Sequence, residues 1–174
     1  MNVLILNGSP HIHGNTAYLT QAFARGAQQA GHDVTELAVG QLDIHDCIGC
    51  EYCIEKGGGH CFRKDDMVRV MDALQAADVL VLASPIYYFT LTGQLQCLID
   101  RLYPLFSRLF QVRKTCLLLS SGASGVYDLA ISQYHQIFQD WMGLEDAGIL
   151  TAYGGQNRSK EKWQEAYQLG FTLS

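Results

Sequence analysis

The chain has 174 residues and a net charge of −5 at neutral pH, with 48% hydrophobic and 17% charged residues. This length predicts a single domain over residues 1–174 that needs no disulfides or structural metal to form a core. The mild acidity, without clustered Lys and Arg, argues against nucleic acid as a partner. No apolar run approaches the roughly 20 residues that span a bilayer, and the N-terminus lacks the basic start of a signal peptide. We therefore expect a cytoplasmic protein with no membrane partner.

The first part of the chain predicts a strand, a helix and a second strand. Residues 3–6 form an apolar run that ends at a turn cluster, which is typical of a buried strand. Over residues 16–30, apolar side chains recur at helical spacing, and Gly31 stands where a helix commonly ends. Residues 33–37 predict a strand by their β-branched content. Residues 39–64 have no clean periodicity, and a loop this long in a compact domain is usually functional.

The rest of the chain continues the alternation of helix and strand. Asp65 or Asp66 is the predicted cap of the next helix. Pro104 is predicted to end or kink the helix that contains it. The predicted strands are 79–83, 114–120 and 149–153, and the apolar faces of the predicted helices lie within 67–77, 95–106, 130–141 and 163–170.

Five strands that alternate with helices predict an α/β fold, with a parallel sheet covered by helices on both faces. Right-handed crossovers and the chain length favour the doubly wound strand order 2-1-3-4-5. In such sheets, ligands bind beyond the carboxyl ends of the strands at the topological switch point. Three unusual loops follow the strands at that edge of the predicted sheet.

The loop after the first strand, residues 8–16, is suited to an anion because it precedes a helix and contains no acidic residue. Ser9, Asn15 and Thr16 add side-chain donors, and His11 adds a further donor or partial positive charge. The loop lacks the Gly-Lys-Ser/Thr of a P-loop and the G-x-G-x-x-G fingerprint. A helix cap with ordinary turn residues is the alternative interpretation.

The other two loops suit a flat ring. Tyr87, Tyr88 and Phe89 follow the third strand, where they form a platform for a planar ring system or, alternatively, a subunit interface. Pro85 fixes the chain ahead of them. After the fourth strand, the small residues at 121–125 allow close backbone approach. Together, a phosphate site, an aromatic platform and a small-residue wall suit a mononucleotide with a large planar ring.

The segments LNGSPHIHGNT and ASPIYYFTLTGQLQCLIDR resemble the NAD(P)H-dependent FMN reductases of the flavodoxin-like superfamily, and the resemblance covers nearly the whole chain in element order. It implies FMN as the cofactor, with His11 standing where many relatives have Arg. The residues implied for the phosphate are Ser9, Gly14, Asn15 and Thr16. Those implied for the isoalloxazine are Pro85, Ile86, Tyr87, Tyr88 and Phe89, with Gly122, Ala123 and Ser124 completing the wall.

The same resemblance implies an oxidoreductase in which NAD(P)H passes a hydride to flavin N5. A small acceptor, such as a quinone, a nitro- or azo-aromatic, free flavin or a metal, is then reduced. No dedicated catalytic side chain is expected, because the flavin supplies the chemistry. A homodimer or homotetramer is implied. The alternatives are a flavodoxin-type electron carrier and a receiver domain, and the latter is excluded because the strand ends offer Asn7, Ser84 and Ser120 instead of an acidic pocket.

Four cysteines are crowded into the spacing C-x2-C-x2-C-x7-C. They are Cys47, Cys50, Cys53 and Cys61. Four thiolates at this spacing can enclose a metal or cluster, and zinc, a redox disulfide and simple thiols are the other interpretations. The motif resembles that of iron–sulfur flavoproteins of the same superfamily, which implies a [4Fe–4S] cluster beside FMN. Cys97 and Cys116 stand in apolar surroundings and are predicted core residues.

Overall fold

A parallel sheet forms the centre of the molecule. The structure, a computed structural model, describes residues 1–107 and 110–174, and the side chains of all of these except 106 and 107. Within these residues the strands are β1 Asn2–Asn7, β2 Asp33–Ala38, β3 Val79–Pro85, β4 Lys114–Ser121 and β5 Glu145–Tyr153. Neighbouring strands are all parallel and lie in the order β2-β1-β3-β4-β5, which confirms the predicted doubly wound, flavodoxin-like α/β fold.

Helices cover both faces of the sheet. In the described residues they are α1 Asn15–Gln29, α2 Tyr52–Glu55, α3 Met67–Ala76, α4 Gly93–Asp100, α5 Asp128–Tyr134 and α6 Lys160–Phe171. Among the same described residues, 3₁₀ turns lie at Val39–Gln41, Tyr103–Ser107 and Gly154–Arg158. Nowhere in the described chain is a helix both long and apolar enough to cross a bilayer.

Two helices differ from the sequence prediction. The helix predicted through residue 106 ends at Asp100, and Pro104 lies in the following 3₁₀ turn because a proline ring is poorly tolerated inside an α-helix. The side chain of Phe106, on which part of that prediction rested, lies outside the described residues. Helix α5 continues as a π-helix over His135–Trp141, where the apolar spacing predicts a regular α-helix.

Alternating strand side chains form an apolar layer on each face of the sheet. Leu4 and Leu6 of β1 pack towards α3, α4 and α5, whereas Val3 and Ile5 pack towards α1 and α6. Cys116 belongs to the second layer, and burial raises the pKa of its thiol to about 12. Its predicted role as an inert core residue is confirmed, while Cys97 is half-buried.

Helices α1 and α6 pack backbone to backbone on the second face. A Cβ at Gly26 would collide with the carbonyl oxygen of Tyr167, and one at Gly170 would collide with that of Phe23. The two glycines therefore permit a close crossing that any larger residue would force apart. This crossing fixes α6, and the turn just before it, to the helix that follows the first loop.

Candidate functional site

The loop between β1 and α1 has a defined shape that depends on protein contacts alone. The Gly8 N–H donates to the Ala83 carbonyl oxygen over 2.8 Å, and the Thr92 hydroxyl donates to the Gly8 carbonyl oxygen over 2.8 Å. The Asn7 side chain accepts from the Ser9 N–H over 3.0 Å. The start of the loop is thus held by both β3 and α4.

Helix α1 presents an uncapped N-terminus to this loop. Gly14 is the N-cap residue, no side chain among the described residues caps the helix, and its first turn contains no acidic residue. Since the first N–H groups of a helix lack intrahelical partners and carry the positive end of the dipole, they favour an anion. The Thr16 hydroxyl is buried against that of Ser120 at 2.9 Å, whereas Asn15 uses its Oδ1 to accept from Arg158 Nε over 3.0 Å, which leaves the backbone N–H groups and the Asn15 amide nitrogen as the donors of this loop.

The second loop makes a tight aromatic turn. The Tyr87 N–H donates to the Thr90 carbonyl oxygen over 2.9 Å, and the Thr90 N–H donates back over 3.2 Å. Between them, Tyr88 and Phe89 have φ of 52° and 69°, the left-handed region that Asn-Gly normally supplies in such turns. Tyr88 is 98% exposed. A bulky residue held in this region costs about 1–3 kcal/mol, and such strain clusters at functional sites.

The third loop forms a firm wall after β4. The Ser121 hydroxyl, which has one proton to donate, lies 2.6 Å from both the Ala123 carbonyl oxygen and the Tyr127 hydroxyl. The Tyr127 hydroxyl donates to the Ala152 carbonyl oxygen over 2.9 Å, which ties the loop to β5. At Gly122, no described atom beyond the glycine and its two chain neighbours lies within 4 Å of the position that a Cβ would take. The wall therefore leaves open space where a side chain would otherwise project.

The three loops line one cavity of about 330 Å³ beyond the carboxyl ends of β1, β3 and β4. This volume is within the usual range for small-molecule sites, about 300–1,000 Å³. The predicted contact residues that line it are Ser9, His11, Gly14, Asn15, Thr16, Pro85, Ile86, Tyr87 and Gly122. Tyr88, Phe89, Ala123 and Ser124 lie outside this lining, and their contact with a ligand stays a prediction.

Ser120 and Ser121 at the end of β4 also line the cavity, although they were not predicted contacts. Two further lining residues, Gly154 and Asn157, were missed by the sequence analysis altogether. They belong to the 3₁₀ turn that follows β5, and the Gly154-Gly155 pair directly after a strand was the available signal. Asn157 is only 3% exposed, and its Oδ1 has no hydrogen-bond partner among the described residues. A buried acceptor without a partner, together with the open space at Gly122, fits a ligand that carries hydroxyl donors next to its phosphate, as FMN does.

The four-cysteine loop lies at the other end of α4. Cys47, Cys50, Cys53 and Cys61 all line a second cavity, of about 570 Å³, together with Arg101 just beyond the helix. Helix α4 begins after the aromatic turn and has 8 residues. At 1.5 Å per residue, the helix is about 12 Å long. Across the described residues, no three His, Cys, Asp or Glu side chains are grouped to hold a metal ion, so a cluster at these cysteines stays a prediction.

A buried ion pair holds the two ends of the cysteine loop together. Arg101 donates to the two carboxylate oxygens of Asp65 over 2.7 and 3.1 Å, and to the His45 carbonyl oxygen over 2.8 Å. Asp66 is the N-cap residue of α3 and its side chain makes no capping hydrogen bond, whereas the Asp65 side chain accepts from the Met67 N–H over 3.2 Å. Burial alone would raise the pKa of Asp65, but the hydrogen bonds and charge of Arg101 outweigh it and hold that pKa below its ordinary value of 3.8.

Comparison with protein families matches residues 1–148 to the family described as NADPH-dependent FMN reductase. The chain belongs to the NADPH-dependent FMN reductase family. The resemblance that the two quoted segments indicated is confirmed, and the family is one of flavin-dependent oxidoreductases. Membership supports FMN as the cofactor of this FMN reductase family member.

The relatives of this FMN reductase family member include iron-sulfur flavoproteins. One from Archaeoglobus fulgidus is 35% identical over 101 residues, which cover 58% of this chain and 48% of the relative. Another from Methanocaldococcus jannaschii is 30% identical over 165 residues, which cover 92% and 84% of the two chains. The chain thus spans about half the length of the first relative.

A solved structure shows the same fold. The NAD(P)H:quinone oxidoreductase from Methanothermobacter marburgensis superposes with a TM-score of 0.73 at 16% identity, over 98% of this chain and 94% of that one. At this identity the match supports the architecture and strand order alone.

Proposed function

We propose that this family member binds FMN in the 330 Å³ cavity and acts as an NAD(P)H-dependent oxidoreductase. The observation that carries the proposal is the convergence of three loops on one cavity. An uncapped helix N-terminus lies at one part of it, Pro85, Ile86 and Tyr87 line another, and Gly122 of the β4 loop lines it as well. Anion site, ring platform and small-residue wall are the parts that a flavin mononucleotide requires.

When bound, FMN supplies the redox chemistry, taking a hydride at N5 from NAD(P)H and delivering electrons to a quinone, a nitro- or azo-aromatic, free flavin or a metal acceptor. The chain binds and orients the cofactor. The N–H groups at the start of α1 bind the phosphate, while Pro85, Ile86 and Tyr87 support the ring. We assign no side chain a proton-transfer step, which is the arrangement expected of flavin enzymes.

A visible spectrum tests the proposal directly. Purified protein reconstituted with FMN is expected to show oxidised-flavin absorbance, and anaerobic addition of NADPH or NADH is expected to bleach it within seconds. Bleaching only through a separate reductase would instead support an electron carrier. Failure to retain FMN at all would overturn the proposal.

A second candidate function is an iron–sulfur flavoprotein that exchanges electrons through a [4Fe–4S] cluster. The supporting observation is that all four clustered cysteines line the 570 Å³ cavity, while Cys97 and Cys116 do not. Four thiols are also the donor set that such clusters use. No chemical step is assigned to a cluster in this conformation, because the thiols are not gathered around a common point.

Anaerobically purified protein is expected to contain about four iron and four acid-labile sulfide atoms per chain if the cluster forms. Cys50→Ser should lower both contents, whereas Cys97→Ser, outside the cavity, serves as the matched control. Iron-free protein that takes up no iron on reconstitution would exclude this second function and leave the FMN proposal intact.

We further propose that the protein is a cytoplasmic homodimer or homotetramer whose partners are small molecules. The support is the exposed aromatic turn, where Tyr87, Tyr88 and Phe89 are 45%, 98% and 54% exposed beside the cavity. Aromatic side chains of this kind are enriched at interfaces. Light scattering after size-exclusion chromatography is expected to give twice or four times the 19.3 kDa chain mass. A monomeric mass at every protein concentration would contradict the proposed oligomer.

A further inference from the structure

We propose that Asn157 recognises the ribityl chain of the flavin, its Oδ1 accepting a hydrogen bond from a ribityl hydroxyl, and that Arg158 is a positioning residue for the phosphate loop. The inference rests on the proposed function, since it concerns the same cavity. The 3₁₀ turn Gly154–Arg158 lies beyond residue 148, where the family match ends, so the match itself assigns nothing to it.

The orientation of the Asn157 amide is determined by its neighbours. Nδ2 donates one hydrogen to the Ser121 carbonyl oxygen over 2.8 Å and the other to the Gly154 carbonyl oxygen over 3.0 Å. A flipped amide would set an oxygen against two carbonyl oxygens, so the network selects the observed orientation. Oδ1 is therefore directed away from both carbonyls, and no described group satisfies it.

A buried acceptor of this kind is expected to find a donor. Asn157 shares the cavity with Gly14 and Thr16 at the α1 N-terminus and with Tyr87 at the aromatic turn. In FMN, the hydroxyl donors lie on the ribityl chain between the phosphate and the ring. A phosphate, being an acceptor in its dianionic form, cannot satisfy Oδ1. The ring N3–H is the other donor of a flavin and is present in lumiflavin as well, so a comparison of lumiflavin with riboflavin separates it from the ribityl hydroxyls that we assign to Oδ1.

Arg158 extends the same turn across the phosphate loop. Its Nε donates to Asn15 Oδ1 over 3.0 Å, and its Nη2 donates to the His13 carbonyl oxygen. A guanidinium is thus held beside the uncapped start of α1, where a negative charge is favoured. The resemblance indicates an Arg at the position of His11 in many relatives. In this chain the guanidinium reaches the loop from the opposite end of the sequence.

Three flavins separate the two roles. Lumiflavin has the ring alone, riboflavin adds the ribityl chain and FMN adds the phosphate, and their affinities for the apoprotein can be measured by fluorescence quenching. Wild-type protein is expected to bind riboflavin more tightly than lumiflavin. Asn157→Ala is expected to lower the affinity for riboflavin and for FMN by about tenfold, while the affinity for lumiflavin changes by less than about twofold. Arg158→Ala is expected to lower only the affinity for FMN, by about tenfold.

Two further variants and the wild-type ligand series make the outcome decisive. Asn157→Asp replaces the Nδ2 donor by an oxygen that faces the Ser121 and Gly154 carbonyl oxygens, so it should lose the riboflavin preference as Asn157→Ala does, and Gln156→Ala, an exposed neighbour in the same turn, should change nothing. If Asn157→Ala lowered the affinity for all three flavins equally, the role of Asn157 would be structural and the inference would be overturned. If that variant does not fold, equal wild-type affinities for riboflavin and lumiflavin would overturn it. A wild-type protein that binds no flavin would instead overturn the proposed function.

Discussion

Gly122 leaves room for a ligand because it has no side chain. It lines the cavity, and no described atom lies within 4 Å of its hypothetical Cβ. We expect Gly122→Leu to lower FMN affinity at least about tenfold because the new side chain takes up cavity space. The melting temperature of the apoprotein should stay nearly unchanged. Gly155→Leu is the matched control, since its Cβ position is also open but the residue is outside the lining. Equal FMN affinity in Gly122→Leu and wild type would contradict the placement.

The Arg101–Asp65 pair makes stability depend on pH at the acid end. The folded pKa of Asp65 lies below its ordinary value of 3.8, so the ionised carboxylate favours the folded state. This contribution is fully present above that ordinary value and is lost as pH falls through the lower folded pKa. Asp65→Asn is expected to remove this part of the acid dependence and, by leaving Arg101 buried without its partner, to cost about 3–5 kcal/mol at neutral pH.

Urea unfolding at pH 7, 5 and 3 checks the Asp65 prediction. Asp140→Asn, an exposed carboxylate, is the control and should keep the wild-type pH profile. A wild-type profile in Asp65→Asn would show that the pair does not govern acid stability.

Single residues of the site differ in how far the sequence predicts them. The loop from Ser9 to Thr16 was recognisable because small and hydroxyl residues follow an apolar strand and precede a helix. The actual partner of the Thr16 hydroxyl was not recognisable, since Ser120 lies 104 residues away. Asn157 was missed because a lone buried amide has no periodic pattern, and its role depends on which carbonyls the fold brings beside it.

The crossing of α1 and α6 depends on two glycines. Gly170→Ala is expected to destabilise the protein by at least about 1–3 kcal/mol, because the added methyl meets the Phe23 backbone, which cannot rotate away. Thermal unfolding measures the effect. Gly93→Ala, at a helix position with no described atom within 4 Å of the added carbon, should leave the melting temperature equal or higher. Equal melting temperatures for Gly170→Ala and wild type would contradict the close crossing.

The aromatic turn is predicted to lower the stability of the folded protein, because Tyr88 and Phe89 are held at positive φ. Phe89→Gly removes the steric penalty of a positive φ at a bulky residue and is expected to raise the free energy of unfolding by about 1 kcal/mol. Tyr87→Gly is the control, because the φ of Tyr87 is not positive and no such relief is available there. Destabilisation in Phe89→Gly would mean that the ring contributes packing that outweighs the strain.

The sequence predicts the presence of the strands and helices better than it predicts their irregular segments and their exact ends. The strands were recognisable because apolar runs such as residues 79–83 must be buried on both faces. The π-helix His135–Trp141 was not recognisable, since its apolar spacing also fits an α-helix. The strand β5 begins at Glu145, four residues before the predicted start, because its polar first residues pair with Lys114 and Thr115 of β4 rather than contributing an apolar signal.

The whole molecule is expected to melt at a higher temperature with its cofactor. A ligand that binds only the folded state adds about 2.7 kcal/mol at 100 times its dissociation constant. For a chain of 174 residues, this corresponds to a rise of about 5–10 °C in melting temperature. Riboflavin at the same concentration is expected to give a smaller rise because it lacks the phosphate. Differential scanning fluorimetry of the apoprotein with each flavin checks this, and an absence of any shift with FMN would contradict the site.

The turn that closes the cavity comes from sequence far from the loop it contacts. The bonds from Arg158 to Asn15 and His13 join positions 143 and 145 residues apart, and α6, which follows the turn, is locked against α1. Contacts of such separation are made late, after local elements have formed. A fragment that stops after β5 would retain the β1–α1 loop and yet hold flavin poorly. The yellow colour expected of the FMN-bound protein would then report complete folding, because it would develop only after these distant contacts have formed.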